Sequence, residues 1–368
     1  MPEVTSISAT IPALPPLPVD ESLALSVVIV SFNTRETLRR CLELLQSELD
    51  RISPDRISPD RLNPDRLTGV SSEILVVDNA STDGSAEMVQ HSFPAVRLLR
   101  SPVNLGFGGA NNLALGASRG HTLLLLNSDA FLTQPVLPEL LPLFHADPSI
   151  GILGIAQLSR DGSLQPSARR FHTLWRDACM MTGLAERFPR NRLWAAVFGG
   201  LDRKWANTAH PVDADWLPGA FLLLRRSLLD TIGLFDERFF LYLEEVDLCH
   251  RARRAGWRIV YRPEFSVLHL GGESAGSVNA ALDAPPSHQV VLWRMRSTLL
   301  YYRKWRSRET RAAAALELAL YRLRWLRNRW SSSPARRQRA RHALQLIALM
   351  RQAWRDTRGG RLSPPRPW

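Results

Sequence analysis

The sequence contains few cysteines, no long apolar run and no basic leader at its start. It has three cysteines, which are far apart and form no CxxC pair: Cys41, Cys179 and Cys249. This pattern excludes a disulfide framework and a cysteine-bound zinc site, and it suits a reducing cytoplasm. No apolar segment approaches the roughly 18 residues of a membrane-spanning helix. The N-terminal segment lacks the basic n-region of a signal peptide, so we expect a cytoplasmic protein.

Positive charge is scarce in most of the chain. The first 285 of the 368 residues carry 27 Lys/Arg and 32 Asp/Glu, a net charge of −5. The overall charge of +12 therefore comes from residues 286–368, which carry 20 Lys/Arg and 3 Asp/Glu, a net charge of +17. The basic character thus indicates a surface that the C-terminal segment meets, and it says little about a substrate.

An alternation of apolar strands and amphipathic helices is present instead. Three apolar runs without internal alternation predict strands at residues 26–30, 73–77 and 123–126. Leucines spaced along residues 34–49 predict a helix between the first two, with Thr34 as its N-cap. Strands of this kind, separated by helices, are typical of a parallel sheet covered on both faces. The predicted fold class is α/β, with a mixed, mostly parallel sheet flanked by helices.

Composition divides the chain into three regions. Residues 1–24 are proline-rich and predict an irregular arm, whereas residues 25–275 hold the strand and helix pattern. Residues 276–368 form a basic helical extension. Within that extension we expect helices at residues 290–306, 311–330 and 336–354.

A tandem repeat interrupts the connection between the first helix and the second strand. Residues 51–68 repeat an Arg-x-x-Pro-Asp unit, and a proline at every fifth position prevents a continuous helix. The period is far too short for a solenoid. Removing the segment shortens the offset between the first two strands from 47 to 29 residues, close to the ~30 residues of a βαβ unit. We therefore predict a surface insertion that the fold does not need.

Residues 239–251 place three carboxylates directly after an apolar aromatic run. Glu244, Glu245 and Asp247 lie within four positions of one another. An apolar wall beside a carboxylate raises its proton affinity, as a general base working near neutral pH requires. The same residues also fit an ordinary helix with acids in its first turn and basic residues near its end. This stretch alone favours neither interpretation.

Polar residues follow the end of the second predicted strand. The carboxyl ends of parallel strands are where ligands bind in open α/β sheets. The side chains of Asp78 and Asn79 can hydrogen-bond a base or ribose edge, while Ser81 and Asp83 are suited to capping the next helix. The glycine-rich segment 104–112 would let backbone amides approach a phosphate, although such a segment alone is more often a simple loop.

Five ordered blocks resemble glycosyltransferase family 2, and within it the rhamnosyltransferase-like enzymes that extend bacterial surface polysaccharides. The resemblance covers about residues 25–275 and depends on the order and spacing of all five blocks. They are SVVIVSFN at 26–33, VVDNASTDGS at 76–85, NLGFGGANN at 104–112, LNSD at 126–129, and a long block from Pro218 through the Glu244–Glu245 pair to His269.

The resemblance implies a GT-A-type domain that transfers a sugar from a nucleotide-diphosphate donor by a single displacement with inversion at the anomeric carbon. The acceptor would be a hydroxyl of a polysaccharide or of a lipid-linked glycan. Phe32 would stack on the nucleotide base, or else fill the core at a strand end. The residues assigned to the nucleotide sugar are Ser31, Phe32, Asn33, Asp78, Asn79, Asn104, Gly106, Asn112, Asn127 and Asp129.

The same resemblance implies the catalytic and acceptor residues. Glu245 occupies the position of the general base, where family members usually carry Asp. On a helix, Glu244 and Asp247 share a face that is offset from Glu245, and Asp247 is spaced to pair with Arg251. The residues that match the acceptor side are Trp216, Gly219 and Ala220.

A divalent cation, Mg²⁺ or Mn²⁺, is implied at the end of the strand at residues 123–126. Family members carry Asp-x-Asp or a shortened equivalent there, and this chain keeps Asp129 but has Asn127 in place of the first acid. One carboxylate can suffice, because hard cations near phosphates take few protein ligands and keep several waters. His269 matches a position that can add an imidazole ligand, although a lone histidine after a strand is more often structural.

Two other classes of function stay open from the residues. A sugar-nucleotide pyrophosphorylase would show a glycine-rich loop with Arg and Lys after its first strand, where this chain has SFNTRE at 31–36. The Arg- and Trp-rich C-terminal region is suited to single-stranded nucleic acid or to an anionic membrane surface. Because residues 1–285 are acidic, we expect the membrane, at its inner face, and no nucleic-acid partner. We expect the first helix of this region to pack on the rest of the protein.

Overall fold

The computed structural model describes residues 20, 23–53, 70–184, 187, 193–194, 197, 210–271 and 288–364. Most of the predicted arm at residues 1–24 and of the tandem repeat at residues 51–68 lies outside these ranges. Within them, one ten-stranded sheet forms the centre of the protein. The strands are β1 (Leu25–Ser31), β2 (Ser72–Asp78), β3 (Arg97–Arg100), β4 (Thr122–Leu126), β5 (Ala130–Phe131), β6 (Ile150–Leu158), β7 (Leu164–Gln165), β8 (Val212–Asp213), β9 (Phe221–Arg225) and β10 (Arg258–His269).

Helices flank this sheet and continue beyond it in the C-terminal region. The first seven lie between strands and are α1 (Arg35–Asp50), α2 (Ser85–Ser92), α3 (Gly106–Ala117), α4 (Leu137–Ala146), α5 (Leu174–Thr182), α6 (Arg226–Ile232) and α7 (Glu244–Arg254). The C-terminal helices are α8 (His288–Trp305), α9 (Thr310–Asn328) and α10 (Pro334–Asp356).

The sheet is mixed, as predicted. Its order is β3-β2-β1-β4-β9-β6-β10-β5, with β7 beside β6 and β8 beside β10. The ladders of β1 with β2 and β4, of β2 with β3, and of β6 with β10 are parallel. Strand β9 runs antiparallel between β4 and β6 and joins the two parallel parts. Because Ser31 is in register with Asp78, the polar residues after β1 and β2 emerge at one edge of the sheet.

Thr34 is the N-cap residue of α1, as predicted, but its side chain makes no capping hydrogen bond. Its hydroxyl instead lies 3.0 Å from Ser31 Oγ and donates to Ser128 Oγ at 3.1 Å. The amide of Arg35 donates to Asp83 Oδ2 at 2.9 Å, and Asp83 Oδ1 accepts from the amide of Ser85, at the start of α2. One carboxylate thus serves the beginnings of two helices.

The boundary of the predicted insertion at residues 51–68 is wrong at its N-terminal end. Ile52 is completely buried in the core between α1 and the sheet. Its carbonyl accepts a hydrogen bond from the amide of Val70 at 2.8 Å, so the described residues on either side of 54–69 lie next to each other. The removable segment therefore begins after Ser53.

We predict that deletion of residues 54–68, closed by a short Gly/Ser linker, leaves a folded and active protein, because Ile52 and Val70 on either side of the deletion are already hydrogen-bonded neighbours. Deletion of residues 51–68 also removes Ile52, and loss of a fully buried isoleucine costs roughly 2–5 kcal/mol. Thermal unfolding of the two deletions measures the difference. Equal melting temperatures for both would contradict the new boundary.

The C-terminal helices pack on the rest of the protein rather than standing apart from it. Tyr301 and Tyr302 of α8 are buried in the same core as β4, β6 and β9. Tyr302 donates to Asp177 of α5 at 2.7 Å, and Trp305 Nε1 donates to Asp247 of α7 at 2.8 Å. The expectation that the first of these helices packs on the protein is confirmed. None of the described helices is long and apolar enough to span a bilayer.

Candidate active site

A cavity of about 230 Å³ opens at the sheet edge where β1, β2 and β4 end. It brings together seven of the residues assigned from the sequence, which are Phe32, Asn79, Asn104, Gly106, Asn127, Asp129 and His269. Phe240, Tyr242 and Trp293 complete its aromatic walls. The five sequence blocks thus meet around one space, and helix α8 contributes one wall of it.

Asp129 and His269 meet because β5 pairs with the end of β10, where Ala130 is in register with His269. Asp129 Oδ1 lies 3.5 Å from His269 Nε2, and both side chains are largely buried. Asn127 Nδ2 lies 3.4 Å from the same ring nitrogen, while Asn127 Oδ1 is buried without a partner among the described residues. The carboxylate of Asp129, the side-chain amide of Asn127 and the imidazole of His269 therefore meet at one end of the cavity.

A network of amides holds the glycine-rich segment against β2. Asn79 Nδ2 donates to Asn104 Oδ1 at 2.9 Å, and Asn79 Oδ1 accepts from the amide of Leu105 at 2.8 Å. The amide of Phe107 donates to the Phe240 carbonyl at 2.8 Å. Gly106 has a φ of +75°, and a Cβ there would lie 2.3 Å from the Phe240 carbonyl oxygen. Only glycine fits this close approach.

We predict that Gly106→Ala distorts the cavity and sharply weakens nucleotide binding, because the new methyl group meets a backbone oxygen that cannot rotate away. Gly162→Ala is the matched control, since Gly162 has a φ of +77° but a Cβ added there would meet nothing within 4 Å. It carries only the left-handed backbone cost of about 1–2 kcal/mol. Nucleotide titration and thermal unfolding compare them, and equal losses would argue against the steric cause.

Three other residues assigned to the nucleotide sugar lie at or near the strand ends but outside the cavity lining. Ser31 is fully buried and pairs with Thr34. Asn33 holds the following turn, because its Oδ1 accepts from the amide of Thr82 at 2.7 Å. Asp78 is 5% exposed, and its Oδ1 is buried without a hydrogen-bond partner among the described residues. Of the three, Asp78 is the one whose unused acceptor suits a ligand donor.

Asn112 has a different environment from the one expected. Its amide group exchanges two hydrogen bonds of 2.9 Å with the backbone of Phe235, as donor to the carbonyl and acceptor from the amide. It does not line the cavity. Asn112 therefore fastens α3 to the loop before α7, and its assignment to the nucleotide sugar has no support from its contacts.

Glu244 and Glu245 begin helix α7 after Tyr242 and Leu243, which both have a φ of +69°. Glu244 is buried, Glu245 is partly exposed, and Oε2 of each lacks a hydrogen-bond partner among the described residues. Burial raises the pKa of Glu244 well above its ordinary value, and repulsion from Glu245 raises it further. Burial also raises the pKa of Glu245, but the charges of His172 and Arg169 oppose that rise. The surroundings thus favour the protonated form more strongly at Glu244 than at Glu245.

Asp247 has the orienting role that its spacing indicated. It is completely buried, and its Oδ2 accepts from Arg251 Nε at 2.9 Å, as the i, i+4 spacing predicted. Its Oδ1 accepts from Trp305 and lies 2.6 Å from Lys304 Nζ. Asp247 Oδ1 thus joins α7 to α8, Oδ2 holds Arg251 within α7, and neither oxygen is left to act as a base.

The three residues assigned to the acceptor side have separate positions. Trp216 is bridged to Arg169 by backbone hydrogen bonds, with the Arg169 guanidinium 4.9 Å from its ring centroid. Trp216 therefore lies beside Arg169, whose charge lowers the pKa of Glu245. Gly219 faces Phe107, and the Ala220 carbonyl accepts from the amide of Asn127 at 3.0 Å. Ala220 thus holds the backbone of Asn127 in the cavity lining and does not contribute to the acceptor side.

Sequence reasoning missed the aromatic wall formed by Phe240, Tyr242 and Trp293. The first two lie in the aromatic run before Glu244, which was a usable signal. Trp293 lies in the first C-terminal helix, which was expected to pack on the rest of the protein but was not assigned to the site, and its ring centroid is 4.9 Å from that of Phe240. Nothing in its local sequence indicates a place in the cavity.

Comparison with known proteins identifies the family. The model of "Glycosyl transferase family 2" matches residues 26–233. The N-acetylglucosaminyl-diphospho-decaprenol L-rhamnosyltransferase of Mycobacterium tuberculosis is 36% identical over 214 residues, which are 55% of this chain and 68% of that protein. The hexosyltransferase Agl10 of Haloferax volcanii is 26% identical over 51% of this chain and 55% of that protein.

One solved structure completes the comparison. The mannosyltransferase PcManGT from Pyrobaculum calidifontis has a TM-score of 0.45 at 16% identity, covering 93% of this chain and 77% of that chain. The family match covers more than half of the chain, and neither a pyrophosphorylase nor a non-catalytic binder is favoured. The chain belongs to glycosyltransferase family 2 and is an inverting glycosyltransferase that uses a nucleotide-sugar donor.

Proposed function

We propose that this enzyme transfers rhamnose, or a similar deoxyhexose, from a nucleotide-diphosphate donor to a hydroxyl of a lipid-linked glycan. The observation that carries the proposal is the meeting of Phe32, Asn79, Asp129 and His269 around one cavity, beside the carboxylate pair of α7. The sugar and the acceptor class come from the printed activity of the 36% identical relative. The proposed location is cytoplasmic, at the inner face of the membrane.

The nucleoside is proposed to lie at the ends of β1 and β2. Phe32 lines the cavity and packs with Phe240 and Trp293, which supports stacking against a base. The unpaired Oδ1 of Asp78 supplies an acceptor for a donor group of the base or ribose. The glycine-rich segment, fastened by Asn79 and Asn104, would present its backbone to the sugar or the phosphates.

A divalent cation fits the Asp129 end of the cavity. The described residues contain no group of three or more His, Cys, Asp and Glu side chains arranged to hold a metal. The carboxylate of Asp129 nevertheless lies beside the imidazole of His269, and a carboxylate oxygen with a neighbouring imidazole suits Mg²⁺ or Mn²⁺. When bound, the cation would neutralise charge on the leaving diphosphate. His269 is also held by Gln165, whose Oε1 lies 3.3 Å from Nδ1.

Glu245 is proposed as the general base that takes the proton of the acceptor hydroxyl. Two adjacent carboxylates in one buried place do not readily ionise together. Arg169 and His172 favour the ionised form of Glu245, whereas Glu244 has no opposing charge among its main influences. Glu245 therefore holds the negative charge and Glu244 keeps its proton. Trp216, beside Arg169, would form part of the acceptor side.

We predict a pH profile that follows from the raised pKa of Glu245. A base must be unprotonated to act, so kcat/KM should rise with pH through that raised pKa. The midpoint of the acidic limb should lie above about 4.3, the value of an ordinary glutamate. Steady-state rates between pH 4 and pH 8 would measure it. A rate independent of pH over this range would contradict the assignment.

The donor assignment is tested with purified protein, a lipid-linked acceptor and a panel of nucleotide-diphosphate sugars. Release of nucleoside diphosphate should be fastest with a deoxyhexose donor and should require the acceptor. Fastest release with a hexose or N-acetylhexosamine donor would refute the sugar and leave the family assignment intact.

A further inference from the structure

A basic pocket of about 520 Å³ lies outside the active site, where α8, the start of α9 and the end of α10 meet. Five arginines line it, and no acidic residue does: Arg303, Arg308, Arg311, Arg358 and Arg361. We call this space the basic pocket. Thr310, the first residue of α9, also lines the pocket.

The charge of these five arginines is not compensated within the described residues, where none of them lies within 4 Å of a carboxylate. Other arginines of the same helices do have such partners. Arg294 pairs with Glu317 at 3.1 Å, and Arg306 pairs with Glu309 at 2.9 Å. Further exposed arginines of these helices, such as Arg322 and Arg341, also lack a carboxylate partner in the part of the chain that the structure describes. The five are distinguished by surrounding one open space, where guanidinium groups are suited to bidentate recognition of phosphate.

An apolar groove continues directly from the basic pocket between α9 and α10. It has a volume of about 750 Å³ and shares Arg311 and Trp354 with the pocket. Its lining combines the small and aliphatic side chains of Ala314, Ala315, Leu318, Ala348 and Met350 with two further arginines, Arg351 and Arg355. We call this space the helical groove. An anion pocket that opens into an apolar channel suits a ligand with an anionic head group and an apolar chain.

We propose that the basic pocket and the helical groove together bind one lipid phosphate, with the head among the arginines and the apolar chain along the groove. If the arginines were only a charged surface, they would bind free phosphate as well as a lipid phosphate. The adjoining apolar channel is explained only by a ligand that carries an apolar chain. The biological sense of the site rests on the proposed function, since a lipid-linked acceptor brings such a phosphate. Trp293 in the cavity wall and Arg303 in the pocket are ten residues apart on α8, roughly 15 Å.

Farnesyl phosphate below its micelle concentration is the probe, and titration calorimetry on the full-length protein measures its binding directly. The double variant Arg308→Gln/Arg361→Gln removes two pocket charges whose side chains make no hydrogen bond to any described residue. The matched control is Arg336→Gln/Arg339→Gln, on two exposed residues of the first turns of α10 that line neither space. The expected loss is roughly tenfold or more for the first pair and less than about twofold for the control.

The two parts of the site are separated by a groove variant and by two further probes. Ala348→Phe fills the groove, so it should weaken farnesyl phosphate several-fold and leave inorganic phosphate unchanged. Farnesol and inorganic phosphate should each bind far more weakly than farnesyl phosphate. Equal effects of the two arginine pairs, on farnesyl phosphate or on phosphatidylglycerol vesicles, would indicate diffuse charge and overturn the site. Equal affinity for inorganic phosphate would overturn the lipid part. None of these measurements depends on sugar transfer, so they stand apart from the proposed reaction.

Discussion

Glu245→Gln should lower sugar transfer by roughly 10²–10⁴-fold while the protein still binds its nucleotide sugar. Glutamine keeps the shape of the side chain but cannot take a proton. Glu245 is the member of the α7 pair that Arg169 and His172 favour in the ionised form. The donor cavity does not include Glu245 in its lining, so donor binding should be nearly unchanged. Transfer rates and nucleoside diphosphate titrations on the same preparation test both parts.

Glu244→Gln is the matched control, because it makes the same change one residue away. If Glu244 keeps its proton, glutamine preserves its hydrogen-bonding character and transfer should fall far less. The raised pKa also predicts a stability effect: ionising buried Glu244 costs stability as pH rises through that pKa, and the variant avoids this cost. The variant should therefore gain melting temperature over the wild type with rising pH. A large loss of transfer with Glu244→Gln and a small one with Glu245→Gln would move the base by one residue.

Glu245→Asp probes the length of the side chain, since family members usually carry Asp at this position. A shorter carboxylate moves by about one C–C bond, and transfer depends steeply on such placement. Mild effects for all substitutions at 244 and 245 would place the base elsewhere. Asp247 is then a poor substitute, because both of its oxygens are engaged by Arg251, Trp305 and Lys304.

Asp129→Asn should lower transfer by roughly 10²-fold or more, with a small change in melting temperature. Asp129 is the only carboxylate in the cavity lining among the described residues, so its loss removes the negative charge that would hold a divalent cation. Titration with Mn²⁺, followed by its paramagnetic signal in the presence of nucleoside diphosphate, reports binding independently of turnover. EDTA should likewise abolish wild-type transfer.

Asn127→Asp is the reciprocal variant, because it restores the first acid that family members carry. The Asn127 side chain already lies beside His269 and lines the same cavity as Asp129, so a second carboxylate there should tighten Mn²⁺ binding. If neither Asp129→Asn nor Asn127→Asp changes the affinity for Mn²⁺, the cation does not bind at this end of the cavity. If EDTA leaves the transfer rate of the wild-type protein unchanged, transfer does not require the cation.

Much of the catalytic domain could be predicted from local pattern. The apolar runs predicted at 26–30, 73–77 and 123–126 are strands in the structure. The first two extend one residue further at each end, and the third extends one residue further at its N-terminal end. Such runs are typical of a parallel sheet covered on both faces, and adjacent parallel strands end at the same edge. That rule alone brings the polar residues after β1 and β2 together. The i, i+4 pair of Asp247 and Arg251 was equally local and is confirmed.

The features that were missed depend on contacts between distant segments. Thr34 has the right residue type for a cap, but the bond to Arg35 comes from Asp83, 48 positions away. Ile52 resembles its repeat neighbours in sequence, and only the bond from Val70 shows that it belongs to the core. Trp293 reaches the cavity because Tyr301 and Trp305 fasten α8 to the catalytic domain. No periodicity within a helix specifies which partner it will meet.

The most direct test of the central claim is mass spectrometry of a lipid-linked glycan acceptor after incubation with the purified protein, a nucleotide-diphosphate deoxyhexose and Mn²⁺. The account predicts that the acceptor gains the mass of one deoxyhexose with the wild-type protein and stays unmodified over the same period with Glu245→Gln. An acceptor that gains no sugar with the wild type, or gains it equally well with Glu245→Gln, would contradict the account.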